Sequence, residues 1–416
     1  MAHASPVVAY LAPEIPALSA TFIYEEIYGL ERLGVRVVPY SVHVPGNPAE
    51  GHDALAGRVT VLYGGKALQE VIEGLLYLPA LGGRALVALQ HLLADMGELG
   101  WLRVGSWKLA YQFLSGVRLA RMIKSAGCTH LHIHFAHVPT QIGMYASALS
   151  GIPFTVTAHA NDIFERGLLL KTKAARAKKF LTISEYNIRH LRGLGIPAEQ
   201  LGIVRCGVSL AADASTTGRS SQGGVVHIGS LGRMVEKKGF DVLIRAADLL
   251  KQRGHAVALH IAGDGPLREE LLTLVQTLGM TQEVVFEGSM PHAQVSAWMK
   301  GLDIFALACK QDTAGDMDGI PVVLMEAMTQ ALPVVSTRLS GIPELVIHEQ
   351  TGLLAESADA QDLAVQLERL IAAPPLAEKL SRQAFDFVKG EFSQEVNLDR
   401  LQGYFSAASK NSTPER

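Results

Sequence analysis

Short apolar strands alternate with helical patterns along almost the whole chain, and one small-residue stretch, Ser209 to Gly224, interrupts them. That grammar leaves few folds. On the N-terminal side, Val7 to Leu11 reads as a strand, Pro13 to Ala20 as a loop, and Phe22, Ile23, Ile27 and Leu30 as the apolar face of a helix that Gly34 ends. Residues 35–40 predict the next strand, and Leu131–Phe135, Phe154–Ala158 and Phe180–Ile183 predict others. Beyond the interruption the series restarts with strands at Val225–Leu231, Ala258–Ala262, Val284–Glu287, Ile304–Ala308 and Val334–Ser336, and helices at Val242–Lys251 and Pro266–Leu278. The expectation is an α/β protein of two Rossmann-like, doubly wound domains facing across a cleft. Their expected bounds are 1–208 and 225–392, joined by a linker over 209–224. A final segment, 393–416, carries a helix from Asn397 to Ala408 placed to pack back on the first domain.

Size and composition agree with two domains and exclude several classes. A chain of 416 residues exceeds what one core usually supports. A net charge of −3 gives no nucleic-acid signature. Three cysteines, Cys128, Cys206 and Cys309, lack metal-ligand spacing and fit a reducing compartment. No basic region followed by a long apolar run opens the chain, so a cytoplasmic location is expected. Leu75 to Leu93 is broken by Pro79, Gly82, Gly83, Arg84 and Gln90, which predicts an interfacial or buried helical hairpin rather than a membrane span.

Chemistry gathers at the ends of predicted strands, where open α/β sheets bind ligands. Ser230-Leu231-Gly232-Arg233 leads through Glu236 and Lys237 to Lys238-Gly239, so two cations bracket a loop between strand and helix. An Arg fork and a Lys point charge suit a diphosphate; a solvated basic turn is the plainer reading. Ala262-Gly263-Asp264-Gly265-Pro266 ends the next strand, and its glycines allow close backbone approach. No G-x-G-x-x-G follows the first strand of either domain, which disfavours a nicotinamide dehydrogenase.

Asp318-Gly319-Ile320-Pro321 precedes the apolar run that contains Glu326. Pro321 fits the first helical position, leaving Gly319 and Ile320 with free amides at a helix mouth. Glu326, inside the apolar run, requires a polar partner; an ordinary cap and a dipole-stabilised acid are the alternatives. His159, after the strand from Phe154, is either a sugar partner or a satisfied strand-end histidine. His130, His132 and His134 share one strand face, but no carboxylate or cysteine lies near in sequence, so most read as structural or acceptor-side residues and no metal is expected. Asp316-Met317-Asp318 is formally a D-x-D, read here as a cap. A basic band, Arg166, Lys171, Lys173, Arg176, Lys178 and Lys179, suggests either an anionic membrane face or a solvated helix surface. The acid-free stretch Trp101 to Gly127, with Arg103, Lys108, Arg118, Arg121 and Lys124, adds to the membrane reading.

Taken in order, these motifs, with Glu326-Ala327-Met328 and Gly341-Ile342-Pro343-Glu344, resemble the family 4 glycosyltransferases of GT-B fold over nearly the whole chain. Ser19-Ala20-Thr21-Phe22-Ile23 and Asp318 to Val322 resemble the exopolysaccharide, colanic-acid type branch. The resemblance implies a retaining hexosyltransferase that needs neither metal nor cofactor and takes a nucleotide-diphosphate sugar, UDP-linked by preference. The acceptor would be a polysaccharide or lipid-linked glycan precursor, met on the inner face of the cell membrane. Arg233 and Lys238 would hold the diphosphate, Glu326 the ribose, and Asp318 with the Gly319 and Ile320 amides the sugar. His159 would touch that sugar from the opposite domain, and the Glu287 to Pro291 stretch, with Met290, would meet the base. Ser230, Gly232, Gly263, Gly265 and Pro321 would complete the donor site, and Ser19, Thr21, His134 and Asp162 would lie on the acceptor side. The family usually has Glu where this chain has Asp318, and many members carry paired glycines or Ser-Glu-Thr where it has Ser19-Ala20-Thr21. Other readings of the fold are a sugar-nucleotide epimerase, a phosphorylase, or a non-catalytic membrane scaffold.

Overall fold

The computed structural model describes residues 6–17, 20–46, 48–49, 51–65, 67–210 and 224–405, with only the backbone at 67–70. The chain divides into two compact units: Met1–Ile183 with Asn187–Gly207 and Asn397–Arg416, and Ser184–Tyr186 with Val208–Val396. Most of the expected linker, 211–223, lies outside the described residues.

The first unit is built on seven parallel strands: β1 Val7–Ala12, β2 Arg36–Ser41, β3 Thr60–Val61, β4 His130–His134, β5 Phe154–Ala158, β6 Lys179–Thr182 and β7 Leu201–Ile203. Their order is β3-β2-β1-β4-β5-β6-β7. Period two sorts each strand between two cores. Ala9, Leu11, Leu131 and Ile133 face one cluster, beneath helices Val104–Ser125 and Val138–Ser150. Val8 and Tyr10 face the other, with Ile23 and Ile27 of helix Thr21–Arg32 and Leu398, Leu401 and Phe405 of the last helix, Gln394–Phe405. The β4 histidines lie on this second side, His130 and His132 against the Phe405 ring at centroid distances of 5.1 and 5.4 Å.

The second unit has six parallel strands: β8 Val226–Leu231, β9 Val257–Ala262, β10 Val284–Gly288, β11 Ile304–Ala306, β12 Val334–Thr337 and β13 Leu353–Ala355. Their order, β10-β9-β8-β11-β12-β13, repeats that of the first sheet without its seventh strand. In both sheets the chain reverses direction across the sheet after its first three strands, at β1/β4 and at β8/β11. Crevices open at the carboxyl ends of such pairs. The sequence pattern misses β3, β7 and β13, each two or three residues long and too short to show a period.

Two surface expectations are sharpened by the structure. Leu75 to Leu93 does form helices, Ala67–Tyr77 and Gly83–Leu99 joined by a 3-10 turn, but much of their apolar surface is uncovered. Leu75, Leu76, Leu86, Val87 and Leu93 are exposed, followed by Trp101, Leu102, Val104 and Trp107. The basic band divides: Arg166, Lys171 and Lys178 are exposed, Arg176 and Lys179 are half-buried, and only Lys173 among the six is buried. Lys173 is fully buried and its ammonium donates to the carbonyls of Ala136 and Leu168, both at 2.6 Å. Arg176 grips buried Asp95 through both its terminal nitrogens at 2.7 and 2.6 Å, and Tyr145 donates to the same carboxylate. Lys178 and Lys179 donate to the carbonyls of Tyr404 and Glu199. Four of the six cations of a band expected to face either a membrane or solvent, Lys173, Arg176, Lys178 and Lys179, therefore tie to groups of the protein itself.

Candidate active site

β8 ends at Leu231, and its extension is pinned to the neighbouring strand end where the Gly232 amide donates to the Ala262 carbonyl at 3.0 Å. A Cβ on Gly263, whose φ is +121°, would sit 2.0 Å from the Gly232 carbonyl, and one on Gly265 would meet the Met234 backbone. These glycines let two loops of the protein touch each other, so the backbone that approaches Gly263 and Gly265 is its own. The loop then turns through Glu236–Lys238 into helix Phe240–Gln252. Gly239, at φ +65°, lies against the Ala308 carbonyl, where a Cβ would fall 1.8 Å away. Only glycine permits that approach, and it sets Lys237 and Lys238 beside the chain leaving β11.

The segment leaving β11 is latched to this turn. The Lys310 amide donates to the Lys237 carbonyl at 3.0 Å, and the Thr313 amide and hydroxyl both donate to Glu236 Oε2 at 3.1 and 2.9 Å. Two acids and two lysines interleave as a result. Lys238 Nζ lies 2.6 Å from Asp318 Oδ2, and Lys237 Nζ lies 2.8 Å from Asp316 and 3.5 Å from Asp318. Cys309 donates its thiol to Asp318 at 3.6 Å. Burial opposes charge on these groups, yet the ammoniums of Lys238 and Lys237 hold the Asp318 carboxyl below the usual range, and Asp318 raises Lys238 in turn. The D-x-D carboxylates thus face ammonium groups.

Helix Val322–Thr329 follows, and Pro321 stands one residue before it rather than at its first position. Ile320 is buried. Within the helix Val323, Leu324, Met325, Ala327 and Met328 are buried, while Val322 and Glu326, one turn apart, keep a partly open face. Glu326 Oε1 meets His292 Nε2 at 3.0 Å; the histidine opens helix His292–Met299, just after Met290. Arg233 is exposed, and among the described residues its guanidinium has no ion pair. The Ser230 hydroxyl is buried at the end of β8 without a hydrogen-bond partner among the described residues.

In the first unit the candidates are more enclosed than the sequence suggests. His159 is nearly buried, with its ring 4.9 Å from that of Phe22, 4.6 Å from Phe135 and 5.7 Å from His134. Burial, with His134 close by, keeps it well below an ordinary histidine pKa and therefore neutral. Asp162, expected on the acceptor side, is fully buried. Its carboxylate accepts from the Ala136 amide and from the His159 amide at 2.8 Å, so it ties two strand ends together. Burial pushes Asp162 up to about 7 and Lys173 down to about 7. His134 is buried against Glu26 and Tyr10, each 3.0 Å from its Nε2. Thr21 begins helix Thr21–Arg32, and Ser19 lies outside the described residues.

Sequence reasoning missed Lys237, Cys309, His292 and Glu26. The adjacent lysines were a visible signal for the first. Cys309 meets Asp318 through the turn of the segment that leaves β11, Glu26 meets the β4 histidines through the packing of its helix on the sheet, and His292 meets Glu326 through the packing of two helices.

Comparison with known proteins fits this arrangement. The model described as Glycosyltransferase Family 4 matches residues 19–212, and that described as Glycosyl transferases group 1 matches residues 221–387. The amylovoran biosynthesis glycosyltransferase AmsK of Erwinia amylovora is 35% identical over 58% of this chain and 61% of its own length. WcaL of Escherichia coli, named for colanic acid biosynthesis, is 35% identical over 58% of this chain and 57% of its own. The chain thus spans somewhat more than half the length of these curated relatives. The crystal structure of HepE from Anabaena in complex with UDP superposes with a TM-score of 0.69 over 97% of this chain and 100% of that one, at 16% identity, a likeness of fold. With the family 4 model on the first sheet-based half and the group 1 model on the second, together spanning most of the sequence, the chain belongs to the family 4 glycosyltransferases.

Proposed function

We propose that this chain is a retaining hexosyltransferase that moves a sugar from a UDP-sugar to a polysaccharide or lipid-linked glycan precursor. The observation that carries the reading is the Lys237/Lys238 pair facing Asp316 and Asp318 at the carboxyl ends of β8 and β11. Two buried-side cations held by exchangeable carboxylates are a ready receptor for a diphosphate, which brings more charge than Asp318 does. Arg233, exposed in the same loop, adds a planar fork. As the bond to the sugar breaks, negative charge grows on the diphosphate, and fixed cations stabilise it there without reorganising. No metal is required at that step. Glu326 takes the ribose hydroxyls once His292 yields them, and the base lies along Met290. Asp318, displaced from Lys238, is then free to accept hydrogen bonds from the donor sugar, aided by the Gly319 and Ile320 amides. Retention follows from front-face attack by the acceptor hydroxyl. The donor choice is supported by the UDP bound to HepE, and the acceptor class by the names of AmsK and WcaL.

Incubating the protein with UDP-sugars and GDP-sugars, with products followed by NMR, tests this reading. Slow release of UDP and free sugar without acceptor is expected, with a retained anomer in any product. Turnover of the donor to an epimer would instead identify an epimerase, and absence of binding and turnover with every donor would sink the proposal.

We also place the protein at the periphery of an anionic membrane surface, on the cytoplasmic side. Among the described residues no helix is long and apolar enough to cross a membrane. The support is the uncovered apolar run from Leu75 to Trp107, with Leu102 at 99% and Trp107 at 66% exposure, beside exposed Arg103, Lys108, Arg121 and Lys124. Trp107, Tyr63 and Tyr111 also line an open hollow of about 470 Å³ near the ends of β2 and β3, a place for an acceptor ring. Flotation with anionic vesicles is expected to carry the wild type at low salt. Trp101→Ser with Trp107→Ser should weaken partitioning by about tenfold or more. Equal flotation of both proteins would contradict this role.

A further inference from the structure

The central strand of the first unit carries a second constellation, separate from the donor-site residues. His132 and His134 alternate on β4, and Glu26 reaches them from helix Thr21–Arg32. The sequence hides this grouping, because Glu26 lies more than a hundred residues from both histidines. Glu26 Oε1 is 3.0 Å from His134 Nε2 and 3.7 Å from His132 Nε2. One donor atom from each of the three residues lies within 4.8 Å of the others. A tetrahedral zinc with bonds of about 2.0–2.1 Å separates its ligand atoms by roughly 3.3 Å, between the two distances found here.

The other nitrogen of each ring explains the orientation. His132 Nδ1 lies 2.8 Å from the Thr155 hydroxyl, and His134 Nδ1 lies 3.4 Å from His159 Nε2. In the tautomer that places each proton on Nδ1, both Nε2 lone pairs turn toward the Glu26 carboxylate oxygen. Three electron-rich atoms then face one another in a site where both histidines are buried. The Tyr10 hydroxyl lies 3.0 Å from His134 Nε2 and the Thr157 hydroxyl 3.4 Å from His132 Nε2, so each ring nitrogen has one hydroxyl beside it. A single divalent cation would serve the carboxylate and both nitrogens at once. The Tyr10 oxygen lies beside His134, and the Glu26 side chain, 15% exposed, leaves a way in.

We propose that Glu26, His132 and His134 form a zinc site that fastens helix Thr21–Arg32 to the middle of the first sheet. Two imidazoles and a carboxylate suit zinc, with Thr155 and His159 positioning the rings from behind. The proposal is independent of the sugar-donor reading, because its ligands all belong to the first unit and its readout is metal content.

The test uses full-length protein carrying no histidine tag, stripped by chelator, reloaded with zinc and desalted. One zinc per chain and a higher melting temperature in the loaded form are expected. Glu26→Gln, which keeps the shape of the side chain, and His134→Gln should each lose the zinc. Thr155→Val should weaken binding by about 10–100-fold. His130→Gln, on the same strand but outside the trio, should retain it. Cobalt in place of zinc should give the visible absorption of a four-coordinate site. Absence of stoichiometric zinc in the wild type, or equal zinc binding by Glu26→Gln and the wild type, would overturn the site.

Discussion

Lys238→Met is expected to lower kcat/KM for sugar transfer by about 10²–10³-fold, with the fold intact. The methionine keeps the alkyl stem, which runs past Gly232 where a Cβ would stand 3.4 Å from the Lys238 chain. Only the charge is removed. The size of the effect is that of deleting one preorganised charge-stabilising donor, about 2.7–4 kcal/mol of transition-state energy. The loss should appear mainly in kcat, because the negative charge on the diphosphate grows as the sugar departs. Lys237→Met serves as the comparison. Lys237 is mainly engaged with Asp316, at 2.8 Å, and only secondarily with Asp318, at 3.5 Å, so its loss should cost less. Steady-state kinetics on both variants, with circular dichroism as the folding control, checks the ordering. Equal, small losses for the two lysines would remove Lys238 from its role.

Much of this arrangement was legible in the sequence. Strands such as β1, β5 and β9 announce themselves because a doubly covered parallel sheet needs continuous apolar runs. Lys238, Asp318 and Glu326 were visible because they stand at strand ends and helix starts, positions that chain order alone identifies. What the sequence concealed depended on partners. Asp318 reads as either a helix cap or a sugar ligand, and its ion pair with Lys238, 2.6 Å away, emerges only from strand order. Asp162 reads as an acceptor-side residue after a strand, and Lys173 as part of a band that faces either an anionic membrane or solvent. Both are buried because β5 and helix Leu170–Arg176 pack around the backbone of 135–137. Gly263 and Gly265 read as a ligand cradle, yet their missing side chains admit the Gly232 to Met234 backbone. Periodicity reports which face is apolar; it does not report which distant polar group completes a buried charge.

Glu326→Ala carries the other large expected effect, on nucleotide affinity. Hydrogen bonds donated by two ribose hydroxyls to a carboxylate are charge-assisted, and such a bond contributes about 1.5–3 kcal/mol. Losing one amounts to a ten- to hundredfold weaker Kd, and losing both to more. The helix itself should survive, because alanine is a better helix former and Glu326 lies on the partly open face. His292 provides the internal control. Its Nε2 sits 3.0 Å from Glu326 Oε1, where a ribose hydroxyl would have to enter. His292→Ala frees the carboxylate, so UDP should bind as tightly as to the wild type or more tightly.

Calorimetric titration of UDP into wild type, Lys238→Met and Glu326→Ala therefore tests the assignment of the second unit as the donor site most directly. Weaker UDP binding is expected in both variants, with the Glu326→Ala loss disappearing when the ligand is inorganic pyrophosphate, which has no ribose. Unchanged UDP affinity in both variants would contradict the assignment.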